Sequence, residues 1–321
     1  MSDTELHDLL ILGSGAGGFA AGIYAGRARL DTLVLDGMGG GGQMAITDVV
    51  ENYPGLTEAV SGTDLAERMR AQMERFGLQV TFDQIEKARL ADDGVTLEGA
   101  YGKYCGRALI VATGAKHREL CVPGEEKLKG RGVSYCATCD GAFFKDQHVA
   151  VVGGGDTAVK EALYLSRIAS RVTVIHRRDK LRAEKVMQEK ALAADNIDFR
   201  WFHVVDQVLG EDKVTGLTLR HVQTDETSEI ALDGAFVFIG IEPNTELFSG
   251  QLELDAGGFI KTDIDMRTSH PRVWAVGDVR AQSVRQIATA VGDGTTAMLK
   301  VQDFLDTDTP PRELPQSCAI D

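Results

Sequence analysis

One pattern occurs twice in this chain at the same internal spacing, and it narrows the possible folds more than any other feature. In "DLLILGSGAGGFAAGIYAGRARLDTLVLDG" an apolar strand at residues 8–12 runs into Gly13, Gly15 and Gly18. A helix follows, then a second strand ending at Asp36, 23 residues after Gly13. In "HVAVVGGGDTAVKEALYLSRIASRVTVIH" a strand at 148–152 meets Gly153, Gly155 and Ala158, then a helix, then a strand ending at His176, again 23 residues on. The first glycine of such a loop permits a tight turn, and the second lets the backbone approach a pyrophosphate. The third position lets helix pack on strand, while the helix N-terminus faces the phosphates. Two copies predict an α/β protein with two Rossmann-like nucleotide-binding domains.

The ends of the second strands differ. Asp36 offers a carboxylate to ribose hydroxyls. The other unit ends instead in His176, Arg177 and Arg178, with Arg182 one turn on. Fixed positive charge there suits a 2′-phosphate and therefore NADPH rather than NADH. The economical assignment is FAD in the first unit and NADPH in the second, although the loops alone leave a second nicotinamide open.

The rest of the chain fits one domain inserted into another. After the first unit come a glycine-rich loop, "GMGGGGQMAITDVVENYPG", a helix with Thr63 as its expected N-cap, and short β-like runs at 78–105 ending in "RALIVATGA". The second unit has its own meander up to Pro243. Beyond it only a strand (272–276) and a helix (284–306) remain, too little for a third domain, so they are expected to rejoin the first. The expected layout is residues 1–117 with 244–321 as an FAD-binding domain and 118–243 as an NADPH-binding domain. Two linkers let such an insertion rotate about a hinge.

Composition limits partners and place. A net charge of −14 disfavours nucleic acid and anionic membranes. The N-terminal apolar run "LLIL" is far shorter than a signal-peptide core or the ~20 residues of a span, so a cytoplasmic location is the default. Five cysteines, Cys105, Cys121, Cys136, Cys139 and Cys318, do not read as a secreted disulfide framework.

The motifs GSGAGG (13–18), GGQM (41–44), ENYPG (51–55), VATGA (111–115), CATCDG (136–141), GGGDTA (153–158), HRRDKLRA (176–183), GIEPNT (240–245), VGDV (276–279) and RQ (285–286) occur in one order. In that order the chain resembles the thioredoxin reductases of the low-molecular-weight bacterial type, over nearly its whole length. The resemblance implies FAD held at Gly13, Gly15, Gly18, Asp36, Gly42, Gln43, Asn52, Ala112, Gly114, Gly277, Asp278, Arg285 and Gln286. It implies NADPH at Gly153, Gly155, Asp156, Thr157, His176, Arg177, Arg178 and Arg182. It also implies a homodimer and a thioredoxin partner. The chain departs from the usual GSGPAG with GSGAGG, and its loop before Gln43 is four glycines long.

Cys136 and Cys139 lie two residues apart, followed by Asp140. A zinc site needs further ligands, and no second C-x-x-C or H-x-x-H exists. A structural bridge across so small a loop removes little unfolded-chain entropy. The remaining reading is a redox couple, whose thiolate a C-x-x-C setting favours. By the resemblance, electrons pass from NADPH to FAD, to the Cys136–Cys139 disulfide and on to oxidised thioredoxin. Cys139 then faces the flavin, Cys136 attacks the partner disulfide, and Asp140 handles the proton. The nearest alternative is a reductase of another small dithiol carrier, glutaredoxin-like or peroxiredoxin-linked. A flavin-storage or nucleotide-sensing protein is the alternative outside enzymes. Cys105 and Cys121 read as small buried residues, and Cys318 is given no role.

Overall fold

The computed structural model describes residues 5–37, 39–47 and 49–308. The chain divides into two compact units, one formed by Met1–Lys116 with Glu242–Asp321 and the other by His117–Ile241. No helix among the described residues is long and apolar enough to cross a membrane.

The first unit opens with β1 (Leu6–Leu12), α1 (Ala16–Ala28) and β2 (Thr32–Asp36), then a one-turn α2 (Gly42–Ala45) and α3 (Gly62–Glu74). The N-cap of α3 is Ser61, whose hydroxyl accepts from Asp64 N. Thr63, the expected cap, lies inside the helix and donates to Ala45 O at 2.9 Å instead. The two residues compete for one role, and the extended backbone at Ser61 (ψ 150°) decides it. The strands β3 (Val80–Phe82), β4 (Ile85–Ala91), β5 (Gly94–Gly99) and β6 (Lys103–Val111) complete the order β3-β2-β1-β6-β5-β4. Along β1 the side chains alternate between two cores: Leu9 and Ile11 pack with α1 and α3, Leu10 and Leu12 with the meander. Burial on both faces explains the continuous apolar run that the sequence shows.

Gly18 sets how closely α1 lies on this sheet. A Cβ there would stand 1.9 Å from Gly13 O and 3.4 Å from the Ala112 Cβ. Gly18→Ala therefore has to push the helix off the strand. We expect a loss of about 3 kcal/mol or more, read as a lowered thermal midpoint.

The chain crosses to the second unit through β7 (Ala115–His117). It continues with β8 (Val133–Ser134), the single turn α4 (Ala137–Asp140), β9 (His148–Val152), α5 (Asp156–Leu165), β10 (Arg171–His176), α6 (Lys185–Leu192) and β11 (Ile197–Trp201). A meander, β12 (His203–Leu209), β13 (Gly216–His221) and β14 (Thr227–Ala231), precedes β15 (Gly234–Val237). The sheet β11-β10-β9-β15-β8 is parallel throughout. It repeats the first unit in detail. Gly13 N donates to Leu35 O at 2.8 Å, and Gly153 N to Ile175 O at 3.0 Å; Phe19 N bonds Gly15 O as Val159 N bonds Gly155 O.

The chain returns through β16 (Ile241–Pro243), paired with β7. In the first unit β17 (Val273–Ala275) pairs with the end of β6, and α7 (Ile287–Thr307) packs along α1. Both match the expected closing elements to within a few residues.

Candidate active site

In the second unit, Cys136 and Cys139 form a disulfide across α4, with S–S 2.06 Å and Cα–Cα 5.3 Å. The turn is anchored from both ends. Ala137 is buried in the core with Ala158, Val159 and Leu165 of α5, and Gly141 lies against Tyr164 and Leu165. Both sulfur-bearing residues remain part-exposed. The Cys136 Sγ is 3.5 Å from Thr138 Oγ1.

Asp140 is tied to Cys136 through a residue that the sequence reading passed over. Buried Ser134, at the end of β8, donates its hydroxyl to Asp140 Oδ2 at 2.6 Å and accepts from Cys136 N at 3.1 Å. Asp140 N closes the ring on Cys136 O at 3.1 Å. The serine stands two residues before the first cysteine, and that proximity was the available signal.

The same unit gathers the second glycine turn and the arginines. Arg182 N donates to Gly154 O at 2.7 Å, and Asp156 Oδ1 accepts from Glu184 N at 2.7 Å. These bonds fold the 177–184 loop back onto Gly153–Gly155, with Arg177, Arg178, Arg182 and Thr157 exposed. His176 is buried with its ring laid against Gly154, and its Nε2 has no partner among the described residues. Burial pushes its pKa down, and Arg182, Arg178 and Arg177 push it further against one opposing backbone bond at Lys180. The positive charge at this strand end thus belongs to the arginines.

In the first unit, Ala112 packs against Gly13 and Gly18. Gly41 N donates to Ser14 O at 2.8 Å, and Gly42 abuts Gly15, which joins the four-glycine loop to the first turn. Buried Asp36 accepts from Ser14 N at 2.8 Å and Ser14 Oγ at 2.7 Å through Oδ2. Asn52 Nδ2 reaches Gln286 Oε1 at 3.3 Å, and Gln286 also caps α7. Arg285 stacks over Phe259 at 5.0 Å, with a buried Nε that lacks a partner among the described residues. Asp278 lies in the turn after β17, while Gly114 is set apart, its carbonyl accepting from Asn244 N at 3.0 Å. Gln43 is exposed.

Each turn leaves room where a nucleotide diphosphate needs it. A Cβ on Gly15 or Gly155 would meet nothing within 4 Å, although the glycines before them are crowded. The open second glycines and the unpartnered His176 and Arg285 nitrogens fit dinucleotide ligands.

A family description, pyridine nucleotide-disulphide oxidoreductase, matches residues 7–294. The chain belongs to this family. It is 47% identical over 306 residues to the thioredoxin reductase of Streptomyces clavuligerus, covering 94% of this chain and 95% of that one. It is 45% identical over 316 residues to that of Coxiella burnetii, covering 96% and 99%. The crystal structure of thioredoxin reductase from Streptococcus pyogenes superimposes with a TM-score of 0.91 at 43% identity, covering 95% of this chain and 100% of that one.

One cysteine departs from expectation. Cys121 is not buried: it is an exposed free thiol on a loop at φ +58°, where its N–H donates to Glu125 Oε2 at 2.7 Å. Cys105 is fully buried in β6, as expected. Cys318 lies outside the described residues.

Proposed function

We propose that the chain is an NADPH-dependent flavoprotein that reduces oxidised thioredoxin. FAD would be held by Gly13, Gly15, Gly18, Asp36, Gly42, Gln43, Asn52, Ala112, Gly114, Gly277, Asp278, Arg285 and Gln286. NADPH would be held by Gly153, Gly155, Asp156, Thr157, His176, Arg177, Arg178 and Arg182. The observation that carries the reading is the Cys136–Cys139 disulfide, packed on the helix that opens at the second glycine turn. The proposed assembly is a homodimer and the proposed location is the cytoplasm. Sedimentation of the purified protein tests the first and fractionation of cells the second.

When bound, the flavin supplies the two-electron relay between the nicotinamide and the disulfide. The chain's own residues perform the rest. In the reduced dithiol, the Cys136 thiolate attacks one sulfur of the partner disulfide; that S–S bond breaks and a mixed disulfide forms. The departing partner thiolate takes a proton, for which Asp140 is the nearest acid named by the motif. Cys139 then attacks the Cys136 sulfur, re-forming the Cys136–Cys139 disulfide and releasing the partner as a dithiol.

Ser134 orients the acid, since its hydroxyl fixes one Asp140 oxygen. Ser134→Ala should lower kcat for disulfide reduction about tenfold and leave the KM for NADPH unchanged, as steady-state kinetics would report. The reading as a whole is tested by anaerobic absorbance. NADPH should bleach the flavin, and oxidised thioredoxin should restore it. Bleaching without recovery would make the partner another dithiol carrier, and no bleaching would remove NADPH as donor.

A further inference from the structure

The turn that carries Asp278 is held by a residue outside every motif in the sequence. After β17 the backbone passes through Gly277 at φ +70° into a single tight turn, Gly277–Val279. Gly277 N donates to Asp293 Oδ2 at 3.0 Å, and Arg280 Nη1 stands 3.5 Å from the same oxygen. Asp293 belongs to the second turn of α7, and its side chain is only 16% exposed. The third wall is α1, where Gly17 touches Val276 and Ala290, and Gly294 lies against Gly17 O. Asp278 itself accepts from Ser283 Oγ at 3.4 Å. An enclosed carboxylate needs partners, and Asp293 finds them in the backbone and arginine of this turn.

We propose that Asp293 is a positioning residue of the flavin site, fixing the Gly277 N–H so that the turn presents Asp278 to the flavin's ribityl chain. The inference rests on the reading of Asp278 as a flavin contact. It has an electrostatic side as well as a geometric one. Burial raises the pKa of Asp278, Arg285 and Ser283 oppose the rise, and the charge of Asp293 adds to it. Burial likewise raises Asp293, against Arg280 and the Gly277 N–H. Asp278, Arg280, Arg285 and Asp293 are the charged groups that act on this turn, and α1 places Gly17 and Ala20 against the α7 side of it.

The test follows FAD release from the diluted holoenzyme by flavin fluorescence across a pH series, for the wild type, Asp293→Ala, Asp293→Asn and Asp278→Asn. Thermal midpoints are recorded in parallel. Asp293→Ala should weaken FAD retention about tenfold. Asp293→Asn keeps an acceptor for Gly277 N but loses the charge, so it should weaken retention less. It should also move the acid loss of FAD to lower pH. Removing a negative neighbour lowers the Asp278 pKa, so Asp278 stays ionised further into acid. A purely structural role would lower the thermal midpoint and leave the acid limb in place, which overturns the inference. Wild-type retention in both Asp293 variants, with Asp278→Asn impaired, overturns it too. If Asp278→Asn itself retains FAD normally, the underlying reading of Asp278 fails and the inference falls with it.

Discussion

With Cys139 replaced by serine, the reduced chain should attack an oxidised dithiol protein once and stop, joined to it through Cys136. With Cys136 replaced by serine, no adduct should form. Both variants should lose at least about a thousandfold in turnover. The asymmetry follows from thiol–disulfide exchange: one sulfur opens the partner's bond and a second must resolve the mixed disulfide. Cys136 caps α4 and Cys139 lies within it, 5.3 Å apart at Cα, so no third thiol is needed to finish the reaction. The free thiol among the described residues, Cys121, lies on a separate exposed loop. A non-reducing gel distinguishes the variants. An adduct in Cys136→Ser, and none in Cys139→Ser, would reverse the two roles.

The second large effect concerns the nucleotide. Replacing Arg177 and Arg178 together by alanine should raise the KM for NADPH about a hundredfold and change that for NADH by no more than about threefold. A charge-assisted hydrogen bond to phosphate contributes about 1.5–3 kcal/mol, and each 1.4 kcal/mol is tenfold, so two lost contacts reach that size. Both arginines are exposed on a loop that Arg182 N and Asp156 pin to the glycine turn, which keeps their charge beside that turn. His176 contributes little charge, because burial keeps its pKa low. Equal losses for NADPH and NADH would mean that the arginines act on the diphosphate and not on a 2′-phosphate.

Local sequence carried the fold well. The two glycine turns, the apolar strands before them and the offset of 23 residues to the strand ends lie within short windows, where spacing dictates the structure. The C-x-x-C turn was legible for the same reason. What escaped depended on contacts across the chain or on competition between neighbours. Ser134 and Asp140 meet because the last residue of β8 lies beside the last residue of α4, and a serine in that position carries no motif of its own. Asp293 reaches Gly277 from a helix 16 residues on, a contact that needs α7 already docked. Ser61 displaced Thr63 as N-cap through a backbone angle, which residue type alone does not specify. Cys121 was misread as buried because cysteine usually is, while its loop stands in solvent with Glu125 holding its backbone.

The way the chain leaves the first unit and comes back has a consequence for how such a protein could be assembled from parts. Asn244 N is bonded to Gly114 O within the first unit, and Arg118 N to Gly240 O within the second. Each unit thus keeps its own two severed ends one hydrogen bond apart. A turn of a few residues would close the first without residues 117–241, and a similar turn would join the ends of the second, at the small entropy of a short loop. The inserted unit is therefore a cassette: recombination at these two points should exchange residues 117–241 as one piece without recutting either core.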